Sequence, residues 1–227
     1  MTDTEPKRDT RERLIQAAIE IFAANGFNAT TTRMLADRAR VNLSAIPYYF
    51  RNKEGLYLAA VAYIADVLGT RLDPFLTEIQ DLAETNLDAE TARGLLQKGI
   101  STIVAVMCGD PGTMPYSQII LREQMTPSAA FDVIYPRVME RILNAFAILI
   151  AAITGETDER QCSLQAVLFI GQVMVWRAGR ATVMRRVGME GYTALEIAEI
   201  QKTVFSRAMA ALDFMTARAT GSKDLSA

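Results

Sequence analysis

Apolar residues recur along this chain at the three-to-four residue spacing of helices, and few stretches alternate as strands do. Leu14, Ala18, Ile21 and Phe22 fall at i, i+4, i+7 and i+8 and mark one face of a first helix. Asp9 is placed to cap its start, with Glu12 three residues on to complete a capping box. Asn25-Gly26 ends it, the glycine supplying a left-handed residue. Thr31 or Thr32 caps a second helix whose buried side is Leu35, Ala36 and Ala39, and Asn52 caps another that runs from Lys53 to about Thr70. Further helices are predicted at about 74–84, 90–108, 115–125, 128–153, 158–178, 181–187 and 193–217. The breaks between them fall at Asp110-Pro111-Gly112, Thr126-Pro127-Ser128, Gly155-Glu156 and Gly188. The pattern is all-α: an N-terminal three-helix head at 8–56 and a larger C-terminal helical bundle at 57–217. The polar end of the chain, 218–227, reads as a disordered tail.

Composition narrows the chemistry. The 227 residues contain no histidine, which removes Ser-His-Asp and Cys-His triads, histidine-ligated zinc and imidazole bases. No catalytic residue, metal site or cofactor is expected. Cys108 and Cys162 form no CxxC pair and suit a reducing cytoplasm. The longest charge-free apolar run, Ile142 to Gly155, is shorter than the roughly 20 residues of a membrane span, and the N-terminus has no apolar signal core. A water-soluble cytoplasmic protein without a membrane partner is the expectation. Net charge is −2, yet residues 7–57 hold nine Lys/Arg against five Asp/Glu while 58–227 hold fifteen against nineteen. A basic head on an acidic body fits a localised nucleic-acid footprint.

The head has the parts of a helix-turn-helix. Ala36 is the small residue where two helices touch, and Ile46 and Phe50, four apart, anchor the second. Its groove-facing set is then Asn42, Leu43, Ser44, Ala45, Pro47 and Tyr48. Asn and Ser hydrogen-bond base edges, while Ala and Leu meet a thymine methyl. Thr31, Thr32, Arg33, Tyr49 and Lys53 flank that set, where hydroxyls and cations meet phosphates.

These residues resemble the TetR family of transcription regulators over about 9–70: the amphipathic first helix ending in NGF, the TTTRMLA start, and the run AIPYYFRNKEGLY. Residues 120–139, ILREQMTPSAAFDVIYPRVM, look like the CecR/CerR subgroup. The resemblance implies an Ω-shaped homodimer with Thr31 to Phe50 as its DNA-binding motif. It also implies a helical body that binds a small-molecule effector or pairs with its twin. Two residues depart from the family pattern. Arg40 stands where the family has glycine. A left-handed arginine there is strained by roughly 1 kcal/mol, unless the turn avoids positive φ. Pro47 stands where a residue with a backbone N–H is usual. Inside a helix proline costs about 3 kcal/mol, but the first turn is exempt. The reading helix is therefore expected to begin near Ser44 or to kink at Pro47.

The helices at about 158–178 and 193–217 are apolar on one side, the later one at Ile197, Ile200, Val204, Ala208, Ala211, Leu212 and Met215. Helices in these positions form the homodimer interface of TetR-like proteins; internal core is the alternative. Two heads also read two DNA half-sites about 34–36 Å apart, more than one short helix can specify. Candidate effector contacts are Met107, Arg122, Met125, Phe131, Phe169, Gln172 and Trp176, apolar residues suited to an adaptable cavity with a few polar groups among them. The expectation is a DNA-binding repressor released from its double-stranded operator by an effector. The sign of that control is implied by the resemblance. A helical adaptor that has lost DNA binding, or a helical enzyme, are the alternatives.

Overall fold

The computed structural model describes residues 5–109 and 111–223, and among these every regular element is helical. Helix α1 spans Glu5–Ala29, α2 Thr32–Ala39, α3 Ala45–Phe50, α4 Lys53–Thr85 and α5 Ala89–Cys108. A 3₁₀ turn at Pro111–Thr113 leads into α6, Met114–Met125, and α7, Ala129–Ile134. A π-helical stretch, Tyr135–Met139, precedes α8, Glu140–Thr154; then follow α9, Glu159–Ala178, α10, Arg180–Val187, and α11, Ala194–Lys223. The chain divides into two compact units: residues 1–70 with 112–138, and residues 71–111 with 139–227.

In the first unit Leu14, Ala18, Phe22, Leu35, Ile46 and Leu56 are fully buried where α1 to α4 meet. The helical start differs from the sequence expectation. Helix α1 already begins at Glu5, because Pro6 in a first turn sacrifices no hydrogen bond. Asp9 therefore lies inside the helix and pairs with Arg13 at 3.2 Å, one turn on, instead of capping. Gly26 has a positive φ of 77° as expected, but its ψ of 172° lies outside the left-handed helical region. The chain kinks there and stays helical to Ala29.

In the second unit α5, α8, α9 and α11 close around Leu96, Ile100, Phe146, Leu149, Phe169, Val173, Val204 and Leu212. Phe75 meets Phe146 edge-on at 6.5 Å and fills the space over Gly99, where a β-carbon would lie 2.4 Å from its ring. Asp88 and Asp158 cap α5 and α9 through their side chains, and Gly155 and Gly188 end α8 and α10 with positive φ.

At two prolines the helices divide differently from the prediction. The helices expected at 53–70 and 74–84 are one, with Pro74 inside α4. The cost of about 3 kcal/mol is outweighed by burying Leu72, Phe75, Leu76 and Ile79 around it, each worth roughly 1.5–3 kcal/mol. The helix expected at 128–153 is instead α7 and α8 joined by the π-helical stretch, which widens the turn around Pro136. Helix α4 is also long and apolar enough by composition to cross a membrane, with mean hydropathy 1.3 over 18 residues. Half of that stretch is buried in the protein, as in a core helix. Helix α11 runs to Lys223, past the predicted end at 217, and residues 224–227 of the expected tail lie outside the described residues.

Candidate nucleic-acid interface

The turn between α2 and α3 is built by Arg40. Its φ of 55° and ψ of 49° place it in the left-handed region. Val41 N–H donates to Ala36 O at 3.0 Å and Arg40 N–H to Asp37 O at 3.1 Å, the two-bond pattern that closes a helix on such a residue. Thr31, not Thr32, caps α2, its Oγ1 accepting from Met34 N–H at 3.2 Å. The family glycine is thus replaced with the turn geometry kept.

Pro47 is accommodated by a late helix start. Asn42 folds its side chain back, Oδ1 accepting from Ser44 N–H at 2.9 Å and from the Ser44 hydroxyl at 2.8 Å. This local turn holds Leu43 and Ser44 outside the helix, and α3 begins at Ala45 with Ser44 in the N-cap position. Pro47 is then the third helical residue. The Leu43 carbonyl, which a residue at 47 would normally engage, accepts instead from Ile46 N–H at 3.3 Å. Buried Ile46 and Phe50 pin α3 to the core. Leu43, Ser44, Pro47 and Tyr48 face outward, Tyr48 being 67% exposed and in edge contact with half-buried Tyr49 at 4.8 Å. Ala45 is half-buried and Asn42 exposed, so these residues form one short, outward ridge.

Behind α3 the chain turns on Arg51, a second non-glycine residue with positive φ, 69°. Asn52 Oδ1 then accepts from Gly55 N–H at 2.8 Å and opens α4 at Lys53, as the cap predicted. A β-carbon on Gly55 would lie 2.0 Å from the Phe50 carbonyl oxygen, so only glycine fits.

The flanking cations divide. Arg33, Arg40 and Arg51 are exposed and form no ion pair among the described residues, whereas Arg38 pairs with Glu20. Lys53 is half-buried: its ammonium donates to the Phe27 and Thr30 carbonyls, both at 2.9 Å, and sits 4.3 Å over the Phe27 ring. Two of its three donors are spent on the protein, so Lys53 is first a clamp between α4 and the end of α1. Arg40 and Arg51 join the sequence-predicted phosphate-facing residues as exposed cations, each carried outward on a turn with positive φ.

The seven candidate effector residues are divided between the two compact units. Arg122, Met125 and Phe131 belong to the first unit, and Met107, Phe169, Gln172 and Trp176 to the second. The Arg122 guanidinium binds the Phe22 and Ala23 carbonyls at 2.7 and 3.4 Å, and Met125 is 84% exposed and lines no interior. Phe131 stacks on Tyr135. In the second unit Phe169 is buried core. Gln172 Oε1 and Trp176 Nε1, one turn apart on α9, are buried without a hydrogen-bond partner. Tyr192 donates to the Trp176 carbonyl beside them. Burial pushes the Cys108 thiol up to about 11, against the pull of nearby Arg177, so it stays protonated at neutral pH.

Comparison with known proteins joins these observations. The pattern of the bacterial regulatory proteins of the tetR family matches residues 14–60. That of the C-terminal domain of the HTH-type transcriptional dual regulator CecR matches 92–215. CecR of Shigella flexneri is 33% identical over 196 residues, 86% of this chain and 87% of that protein. Among solved structures, a TetR-like transcriptional regulator from Rhodococcus sp. RHA1 superposes with a TM-score of 0.61 at 17% identity, covering 88% of this chain and 96% of that one. The transcriptional regulator FadR from Bacillus subtilis, in complex with stearoyl-CoA, superposes with a TM-score of 0.57 at 19% identity, covering 87% and 96%. These two share the fold. The chain belongs to the TetR family of helix-turn-helix transcription regulators, with a CecR-type C-terminal domain, and is not an enzyme.

Proposed function

We propose that this protein is a homodimeric, cytoplasmic repressor that binds operator DNA through α2 and α3 and leaves it when a small molecule binds the body. The observation that carries the DNA reading is the ridge from Asn42 to Tyr48, held outward by buried Ile46 and Phe50 and flanked by unpaired Arg33, Arg40 and Arg51. Leu43, Ser44 and Asn42 meet base edges; Thr31, Thr32, Arg33, Tyr48 and Tyr49 meet phosphates, joined by Arg40 and Arg51. Lys53 contributes its remaining donor and holds the frame. Both anomalies of the motif fit the fold without loss of the outward ridge, which favours this reading over an adaptor that has lost DNA binding.

The dimer forms through α9 and α11. On α9 Leu164, Val167, Leu168 and Val175, spaced i, i+3, i+4 and i+11, are 44–58% exposed on one face, with Gly171 open among them. The effector is amphipathic. Phe169 and Met107 offer apolar contact, while Gln172 Oε1 and Trp176 Nε1 offer an acceptor and a donor that the protein leaves unused. FadR's stearoyl-CoA is one such molecule on the same fold. Binding shifts the population towards a dimer that no longer matches the operator. A gel shift on the DNA flanking the protein's own gene tests the reading. Specific binding at low salt, relieved by an amphipathic effector, is expected; absence of specific binding ends it.

A further inference from the structure

Helices α6 and α7 lie between two irregular joints, the 3₁₀ turn at Pro111–Thr113 and the π-helical stretch at Tyr135–Met139, and belong to the same compact unit as the head. Two adjacent side chains at the end of α6 tie them there. Arg122 Nη1 donates to Phe22 O at 2.7 Å and Nη2 to Ala23 O at 3.4 Å. These carbonyls sit at the Gly26 kink of α1, which has no basic side chain in its own last turn. The guanidinium supplies from another helix the positive charge that a helix end attracts. It also covers Gly26 so closely that a β-carbon there would stand 3.4 Å from its central carbon.

Glu123 reaches the other side. It is 4% exposed and accepts three hydrogen bonds: from the Tyr57 hydroxyl at 2.7 Å, Ser128 N–H at 3.0 Å and the Ser128 hydroxyl at 2.9 Å. Tyr57 packs edge-on to Phe22 at 4.8 Å and against Phe27 at 5.3 Å. Phe27 lies under Lys53, whose ammonium also binds the Thr30 carbonyl, the residue before the α2 cap. One continuous chain of contacts therefore runs from the start of α7 to the first turn of α2. A carboxylate so buried is costly to strip of any donor, so Glu123 holds Tyr57 and Ser128 together.

We infer that α6 and α7 move with the DNA-reading head as one body, and that Arg122 and Glu123 are positioning residues for its grip on DNA. The inference rests on the DNA-binding reading above. A local opening that undoes a binding-competent head is suppressed by bound DNA, so residues that open with the head share its protection.

Hydrogen exchange followed by mass spectrometry on the full chain, with and without the DNA flanking its own gene, tests this. In the wild type DNA should slow exchange across 114–134 as well as 32–56, although 114–134 touches no DNA. Arg122→Gln should confine the slowing to 32–56 and weaken DNA binding about tenfold, with the slope of log affinity against log salt unchanged because no phosphate contact is lost. Arg122→Lys, which still donates to the two carbonyls, should restore most of both; Glu123→Gln, which brings an extra donor among donors, should resemble Arg122→Gln. DNA protection absent from 114–134 in the wild type, or Arg122→Gln behaving as wild type, overturns the inference. Should the wild type bind no DNA, the DNA reading falls by itself, and exchange in the free protein judges the joint. Arg122→Gln must then speed exchange in the last turns of α1 and in α6 together, and acceleration of α6 alone refutes it.

Discussion

Arg40 keeps the turn between α2 and α3 at φ 55° on a residue with a β-carbon, and the backbone bonds this conformation makes, Arg40 N–H to Asp37 O and Val41 N–H to Ala36 O, offset its cost. Glycine would hold the same geometry without the steric cost of roughly 1 kcal/mol. Arg40→Gly should therefore raise the stability of the head by about 0.5–1 kcal/mol in urea titration, while DNA affinity falls as a cation is removed. Loss of stability would mean that the arginine side chain holds the turn. Pro47 gives the opposite kind of test. At the third helical position its missing N–H costs nothing, so Pro47→Ala should change stability by less than about 0.5 kcal/mol. A gain near the roughly 3 kcal/mol of an internal proline would show that α3 starts earlier in solution.

Helix α9 has two apolar faces. Cys162, Ala166, Phe169, Val173 and Arg177 are buried within the protomer, and Leu164, Val167, Leu168 and Val175 face outward. Burying the exposed half of those four side chains on each of two copies supplies an apolar centre for a dimer interface. Leu168→Glu should thus yield a monomer at micromolar concentration by light scattering, with the melting of the isolated protomer nearly unchanged because position 168 is already exposed there. A persistent Leu168→Glu dimer would move the interface elsewhere. The outward stripe also marks what was legible in the sequence. Caps and stops that act within four residues, such as Asn52, Gly155 and the Ser44 start, were readable because their partners are neighbours in the chain. The break at Pro74 was misread because distant packing decided it, and Asp9 as a cap because Pro6 lets the helix start a turn earlier. Burial of Leu72, Phe75, Leu76 and Ile79 carries the helix through Pro74, and Arg122 finds carbonyls a hundred residues upstream.

For the whole molecule the deciding quantity is where unpaired charge sits. Within residues 7–57 the basic excess is unevenly placed: Arg13 and Arg38 pair with Asp9 and Glu20, and the Lys53 ammonium is turned to carbonyls. What remains exposed without an ion pair among the described side chains is Arg11, over the Phe50 ring, and Arg33, Arg40 and Arg51, around a ridge of Asn42, Leu43, Ser44 and Tyr48 that bears no charge. That separation predicts two classes of variant. Each phosphate contact contributes about 0.9 to the salt slope, so Arg33→Ala or Arg51→Ala in a dimer should reduce the slope by about two and weaken all DNA sequences alike. Leu43→Ala or Asn42→Ala should leave the slope intact and narrow the gap between operator and random DNA, by about 1–3 kcal/mol for a good base contact. Titrations of each variant at several salt concentrations, on operator and on random DNA, separate the classes. If Arg51→Ala altered sequence preference with no change in slope, Arg51 would be reading bases and the ridge would have to be turned in the groove.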